Sequence, residues 1–129
     1  MISLDITPQL SDTRILLQSY GDGGFRVSGT GWLEGSQILL PEKAIPWKVK
    51  SSKDINFKSL DPVVSEAERF KILIIGCGEE FTPIPDELQQ DLKKQGIVLE
   101  WMDTGAACRT FNVLTVEERP VAAALIAVK

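Results

Sequence analysis

Gly76-Cys77-Gly78 is the stretch whose residue types could do chemistry. The two glycines let the backbone approach a ligand closely, and the thiol between them offers a nucleophile. A reactive thiolate needs a positive neighbour or a helix N-terminus. Arg109 or Arg119 could supply that charge if the fold brings them near; otherwise Cys77 is a small buried residue. Gly76 to Phe81 also invites comparison with the dinucleotide fingerprint G-x-G-x-x-G, with Asp103 as a ribose-binding acid. Phe81 stands where the third glycine belongs, and Glu79 and Glu80 would repel a pyrophosphate, so the comparison fails. No P-loop pattern occurs.

Two further sets have suggestive types. Glu100, Asp103, Glu117 and Glu118 could supply a carboxylate pair for acid-base work or a hard cation. Their spacing does not require it, and a solvated or arginine-paired set fits as well. Arg109, Asn112 and Arg119 could hold a small anion, because guanidinium meets carboxylate or phosphate with two parallel bonds. The competing expectation is that Arg119 pairs with Glu100 or Glu118.

Composition removes whole classes. With no histidine, neither a Ser-His-Asp nor a Cys-His pair can form, and histidine-containing metal sites are excluded. Two cysteines cannot make a four-cysteine zinc site; Cys77 and Cys108 are expected as free thiols of a reducing cytosol. No catalytic set, cofactor or metal is expected. The net charge of -4 disfavours nucleic acid, which needs a basic footprint. Charge is uneven: residues 43–71 carry seven basic and four acidic groups, and residues 79–103 carry seven acidic and two basic. The acidic segment is a candidate partner-binding face. No apolar run approaches a membrane span, and the Met1 to Asp5 start resembles neither a signal nor a transit peptide. A cytoplasmic location is expected.

At 129 residues the chain is expected to form a single domain over 1-129. Residues 1-13 are expected as an extended arm, with a short strand near Ile2 to Ile6. Residues 14-50 read as mostly antiparallel β: strands at Arg14 to Tyr20, Phe25 to Val27, Gln37 to Leu40 and Ala44 to Val49. Gly21 to Gly24 reads as a hairpin turn, Gly29 to Trp32 as a flexible stretch, and Pro46 marks an edge strand. Trp32 and Trp47 are expected as core or sheet-covering aromatics.

Residues 60-129 read as α/β. Asp61-Pro62 predicts a helix whose face carries Val63, Ala67 and Phe70. Lys71 to Ile75, apolar without alternation, predicts a central strand covered on both faces. Thr82-Pro83 predicts a second helix, with Ile84, Leu88 and Leu92 as its stripe and Gly96 as its stop. Ile97 to Met102 completes a right-handed βαβ unit. Asp103 or Thr104 caps a third helix over Gly105 to about Leu114, and Val121 to Ile126 is a last buried strand.

The ordered set Ile74-Ile75-Gly76-Cys77-Gly78, Gly96-Ile97 with Glu100 and Met102, Asp103 to Leu114, and Glu118 to Ile126 resembles a domain-of-unknown-function family. That family has archaeal, bacterial and eukaryotic members, one of them a mitochondrial assembly factor for respiratory complex I, of the assembly factor 3 type. The resemblance implies an α/β, three-layer fold: a central mixed β-sheet flanked by helices, with an additional antiparallel β-layer from the N-terminal half. It implies no established enzyme activity or cofactor. Carried over residue by residue, it implies a pocket of Gly76, Gly78, Glu100, Thr104, Asn112 and Arg119. Cys77 departs from the threonine or serine more usual between the glycines. With Cys77 and Arg109 added from the residues themselves, these are the candidate ligand-binding positions. The expected function is a non-enzymatic protein-interaction or assembly factor with a protein partner; the alternative is a small-ligand-binding protein or enzyme using the Gly76-Gly78 crevice.

Overall fold

The computed structural model describes residues 14–129. The expected arm and its short strand near Ile2 to Ile6 lie outside the described residues. Eight strands and three α-helices follow: β1 (Leu17–Gly21), β2 (Gly24–Val27), β3 (Gly31–Glu34), β4 (Gln37–Leu39), β5 (Ala44–Pro46), α1 (Asp61–Val64), β6 (Ile72–Gly76), α2 (Leu88–Lys94), β7 (Val98–Met102), α3 (Thr104–Val116) and β8 (Val121–Leu125).

The strands make two sheets. β1-β2-β3 is an antiparallel meander, and the five-stranded sheet runs β5-β4-β8-β6-β7. In the latter, β6 is parallel to both β7 and β8, while β4 is antiparallel to β5 and β8, so the sheet is mixed. The expected three-layer α/β architecture is therefore present, with one refinement. Only β1 to β3 form the additional layer; β4 and β5 belong to the central sheet.

Strand periodicity divides the core. Leu73, Ile75, Ala122 and Ala124 face one side, with Leu60, Val63, Phe70, Leu88 and Leu92 above them. Ile74, Ala123 and Leu125 face the other, under Ala107, Cys108 and Phe111 of α3 and Phe25 and Val27 of the small sheet. Because both faces are covered, β6 and β8 have no polar alternation. The alanines of β8 are fully buried, and α3 packs directly on β8 and β6.

The first hairpin turns on Asp22-Gly23, both with positive φ (52° and 82°), between the paired Gly21 and Gly24. A two-residue turn of that kind matches the natural strand twist. Gly29 to Trp32 is not simply flexible: Gly31 begins β3. Trp32 lies across Gly24, where an added Cβ would come 2.7 Å from its ring. Trp47 is buried and its ring N–H donates to Ser59 O at 2.9 Å.

Two helix expectations are corrected. The segment after Asp61 is helical only to Val64, followed by a 3-10 turn over Ala67–Arg69. Two adjacent β-branched valines weaken the helix, and the Ser65 hydroxyl donates to Pro62 O at 3.2 Å, competing with the backbone ladder. Val63 and Phe70 are nevertheless buried together. The second helix starts at Leu88, not Thr82. Pro85 disfavours helical backbone at Ile84, so the cap-like Thr82-Pro83 cannot nucleate. Ile84 still packs on the core, and Gly96 ends the helix with φ 77°.

Candidate functional site

The carboxyl ends of β6 and β8 meet the start of α3, and the residues there hold one another. Gly76 N and O belong to the strand end, where Ile126 N–H donates to Gly76 O at 3.0 Å. An added Cβ at Gly76 would lie 2.9 Å from Thr104 Cα and 3.1 Å from Leu125 Cδ2. Glycine is required because the first turn of α3 sits directly on the strand. Thr104 is fully buried. Its hydroxyl donates to Ile126 O at 2.8 Å and accepts from Gly78 N–H at 3.1 Å, while its own N–H donates to Gly78 O at 2.8 Å. Asp103 is the N-cap, its carboxylate accepting from Ala106 N–H at 2.9 Å. Between the expected caps, the structure chooses Asp103.

Past Gly78, which has φ 118°, an open crevice of about 390 Å³ is lined by Lys50, Ser51, Ser52, Cys77, Glu80 and Thr82, with Lys129 at its rim. The Cys77 thiol is nearly buried and donates to Glu80 O at 3.5 Å. Thr82 Oγ1 is buried without a hydrogen-bond partner. Sequence reasoning missed Lys50, Ser51, Ser52 and Thr82. A polar Lys-Ser-Ser run directly after an edge strand was the available signal.

Of the eight candidate positions, Cys77 and Gly78 line the crevice, and Gly76 and Thr104 lie buried behind it, joining the strand ends to α3. The other four do not line it. Asn112 is spent on the small sheet: Leu17 N–H donates to its Oδ1 at 2.9 Å and its Nδ2 donates to Leu17 O at 2.8 Å. Arg109 is exposed, its guanidinium 3.4 Å from the Tyr20 hydroxyl. Glu100 is exposed on β7. Arg119 precedes β8, which places it at the amino end of strands whose carboxyl ends form the crevice. Its carbonyl accepts from the Arg14 guanidinium at 3.0 Å. Among the described residues the ion pairs are those of Arg69 with Glu42 and Glu66, so the expected pairing of Arg119 with Glu100 or Glu118 is corrected. Burial, opposed by Arg109 and reinforced by Asp103, pushes the Cys108 thiol up to about 12. Both cysteines are free thiols. No group of three or more metal-ligating side chains gathers among the described residues. No helix among them is long and apolar enough to cross a membrane.

The polar groups at the strand ends are therefore mostly committed to backbone.

The chain is 34% identical over 124 residues to NADH dehydrogenase [ubiquinone] 1 alpha subcomplex assembly factor 3 of Danio rerio, covering 96% of the chain and 71% of that protein. It is 34% identical to the Homo sapiens protein of the same name over 85% of the chain, spanning 59% of that relative's length. An uncharacterised Rhodobacter capsulatus protein is 33% identical over 85% of the chain and 82% of its own length. Among solved structures, an outer membrane protein from Bartonella henselae superposes with a TM-score of 0.83 at 36% identity, covering 90% of this chain and 97% of that one. A Bordetella pertussis protein described as an Mth938-like domain, at 24% identity, shares the fold, with a TM-score of 0.79 over 96% of this chain and 92% of that one. The family model for proteins of unknown function DUF498/DUF598 matches residues 17–126. These matches, extending from the small sheet through the last strand, establish that the chain belongs to the DUF498/DUF598 family.

Proposed function

We propose that this protein is a non-enzymatic interaction and assembly factor for a respiratory NADH dehydrogenase. The observation that carries the reading is its 34% identity, over 96% of the chain, to a relative named as an assembly factor for that enzyme. The site supports it: Thr104, Asn112 and Asp103 are occupied in joining strand ends, helix and small sheet. A protein whose polar groups fix a rigid body suits presenting surfaces to partners. A cytoplasmic location is proposed separately, from the sequence reading, and cell fractionation checks it.

The test is deletion of the gene in its own host, with native gel electrophoresis of the membranes and affinity capture of the tagged protein. The expected result is a loss of assembled NADH dehydrogenase and recovery of its subunits with the tag. Normal assembly in the deletion strain, with no subunit recovered, would overturn it.

A second reading, a small polar ligand in the crevice, is favoured by one observation. Thr82 Oγ1 is buried with no partner on a wall of that crevice. A thermal-shift screen of small acids and nucleotides tests it; a ligand that stabilises the wild type and not Thr82→Val supports it, and a screen without stabilisation overturns it.

A further inference from the structure

The two edges of the central sheet differ. At the β5 edge, Pro46 lies in the strand, and Lys43 and Lys48 flank it. Proline and lysine are the usual guards against unwanted strand pairing. The β7 edge, Val-Leu-Glu-Trp-Met, has neither.

Its backbone is half unpaired. Val98 N–H donates to Lys71 O at 2.8 Å, and Met102 O accepts from Cys77 N–H at 2.8 Å, so Val98, Glu100 and Met102 bond inward to β6. In a parallel ladder alternate residues turn their amides outward. The N–H and C=O groups of Leu99 and Trp101 therefore point to the open edge, and no other described backbone group takes them.

The outer strand also exposes a strip of side chains. Register puts Val98, Glu100 and Met102 on the α3 side of the sheet, opposite Ile72, Ile74 and Gly76. α3 packs on β6 and β8, leaving the β7 flank largely uncovered. Val98 is 56% exposed and Val113 of α3 is 55% exposed. The Thr110 hydroxyl donates to Met102 Sδ at 3.4 Å, and Val113 lies one helical turn further on. Val113 thus extends the exposed face of α3 beyond the Thr110–Met102 contact. The result is an apolar strip with a single carboxylate, Glu100, in its middle. The segment holding α2 and β7 is acidic, seven acidic against two basic groups over residues 79–103.

We propose that β7 is a docking edge that accepts an extended segment of a partner protein as a sixth strand. This rests on the interaction-factor reading and names its surface. Four main-chain bonds to Leu99 and Trp101 supply the pairing. A lysine or arginine of the segment lies beside Glu100, and apolar residues two positions before and after it lie beside Val98 and Met102. Main-chain addition of this kind gives affinity, and alternate side chains give selectivity.

The probe is the capped peptide Val-Thr-Lys-Thr-Val, titrated into the full chain with 15N-labelled amides, and its counterpart with glutamate in the centre. The expected result is saturable shifts centred on the Leu99 and Trp101 amides, with the lysine peptide favoured. Glu100→Lys should weaken the lysine peptide about fivefold and reverse the preference. Val98→Lys should remove binding of both peptides. Both positions are exposed, and the unchanged remainder of the amide spectrum checks that the variants fold. No saturable shift at millimolar peptide, shifts centred on Cys77 and Gly78, or an unchanged preference in Glu100→Lys would overturn the proposal. So would a wild-type dimer that Val98→Lys dissociates, or binding that emerges only after removal of residues 1–13; these would assign the edge to a second copy or to the chain's own start. Capture from host cells separates the two ideas. If Glu100→Lys and Val98→Lys still recover NADH dehydrogenase subunits, the edge proposal falls and the assembly reading stands. If the wild type recovers none, the assembly reading falls, and the peptide titration decides the edge alone.

Discussion

Asn112 holds Leu17 by both ends of its carboxamide, accepting from Leu17 N–H at 2.9 Å and donating to Leu17 O at 2.8 Å. One side chain on α3 thus imitates a neighbouring strand for the first residue of β1. This joins the small sheet to the helix that covers the central one. Asn112→Ala leaves both Leu17 groups unpaired and should cost about 2 kcal/mol, read by chemical denaturation. Asn112→Asp keeps the acceptor but sets a carboxylate against Leu17 O, and should be no more stable than the alanine variant.

Gly76 and Thr104 form a second joint. Gly76→Ala forces a Cβ against Thr104 Cα, which is backbone and cannot swing aside; a loss of about 2–3 kcal/mol is expected. Thr104→Val keeps the shape but strands the Gly78 N–H and removes a donor from Ile126 O, for about 2 kcal/mol. Thr104→Ser keeps the hydroxyl and should lose less. Equilibrium unfolding of the three variants orders them.

Cys108 should make stability fall in alkali. Its folded value, raised from 9.0 to about 12, lies above the unfolded one, so the folded state keeps a proton that the unfolded state releases. Full stability is present below about pH 9. Between about pH 9 and 12 it should decline by about 1.4 kcal/mol per pH unit relative to Cys108→Ala, whose profile lacks this component. The difference between the two unfolding curves against pH is the measurement. A difference that stays flat across that range contradicts the buried thiol.

Thr82→Val tests the crevice wall in the free protein. The hydroxyl has no partner, so replacing it with a methyl of similar shape removes a desolvation cost. Stability should stay level or rise by about 1 kcal/mol. A fall of that size would mean that the hydroxyl is engaged in solution.

The helix that failed and the helix that held show where sequence is legible. Asp103 followed by a run without proline predicts α3, and α3 forms with Asp103 as its cap. Thr82-Pro83 offers the same cap chemistry, but Pro85 two residues later overrides it. Pro46 correctly marks an edge, because a missing N–H costs a ladder bond in a central strand and none on the outer side of an edge strand. The joint between β6 and α3 was legible for a related reason. Gly76, Cys77, Gly78 and Thr104 follow from a strand ending and a helix starting, both local events. Asn112 and Arg119 depend on which end of which element faces them, and spacing along the chain does not encode that.

The sequence by itself determined most element types, though not β3 or the extents of α1 and α2, together with the buried central strands and the exclusion of histidine chemistry. Apolar runs, glycines and caps act over a few residues, and composition acts over none. Only the tertiary structure decided that β1 to β3 leave the central sheet while β4 joins it, that Asn112 serves Leu17, and that Arg119 lies at the far end from the crevice. It also decided that β7, rather than β6, stands at the edge of the sheet among the described residues. Both strands have apolar residues on their inner faces, and strand order is set by packing between segments far apart in the chain.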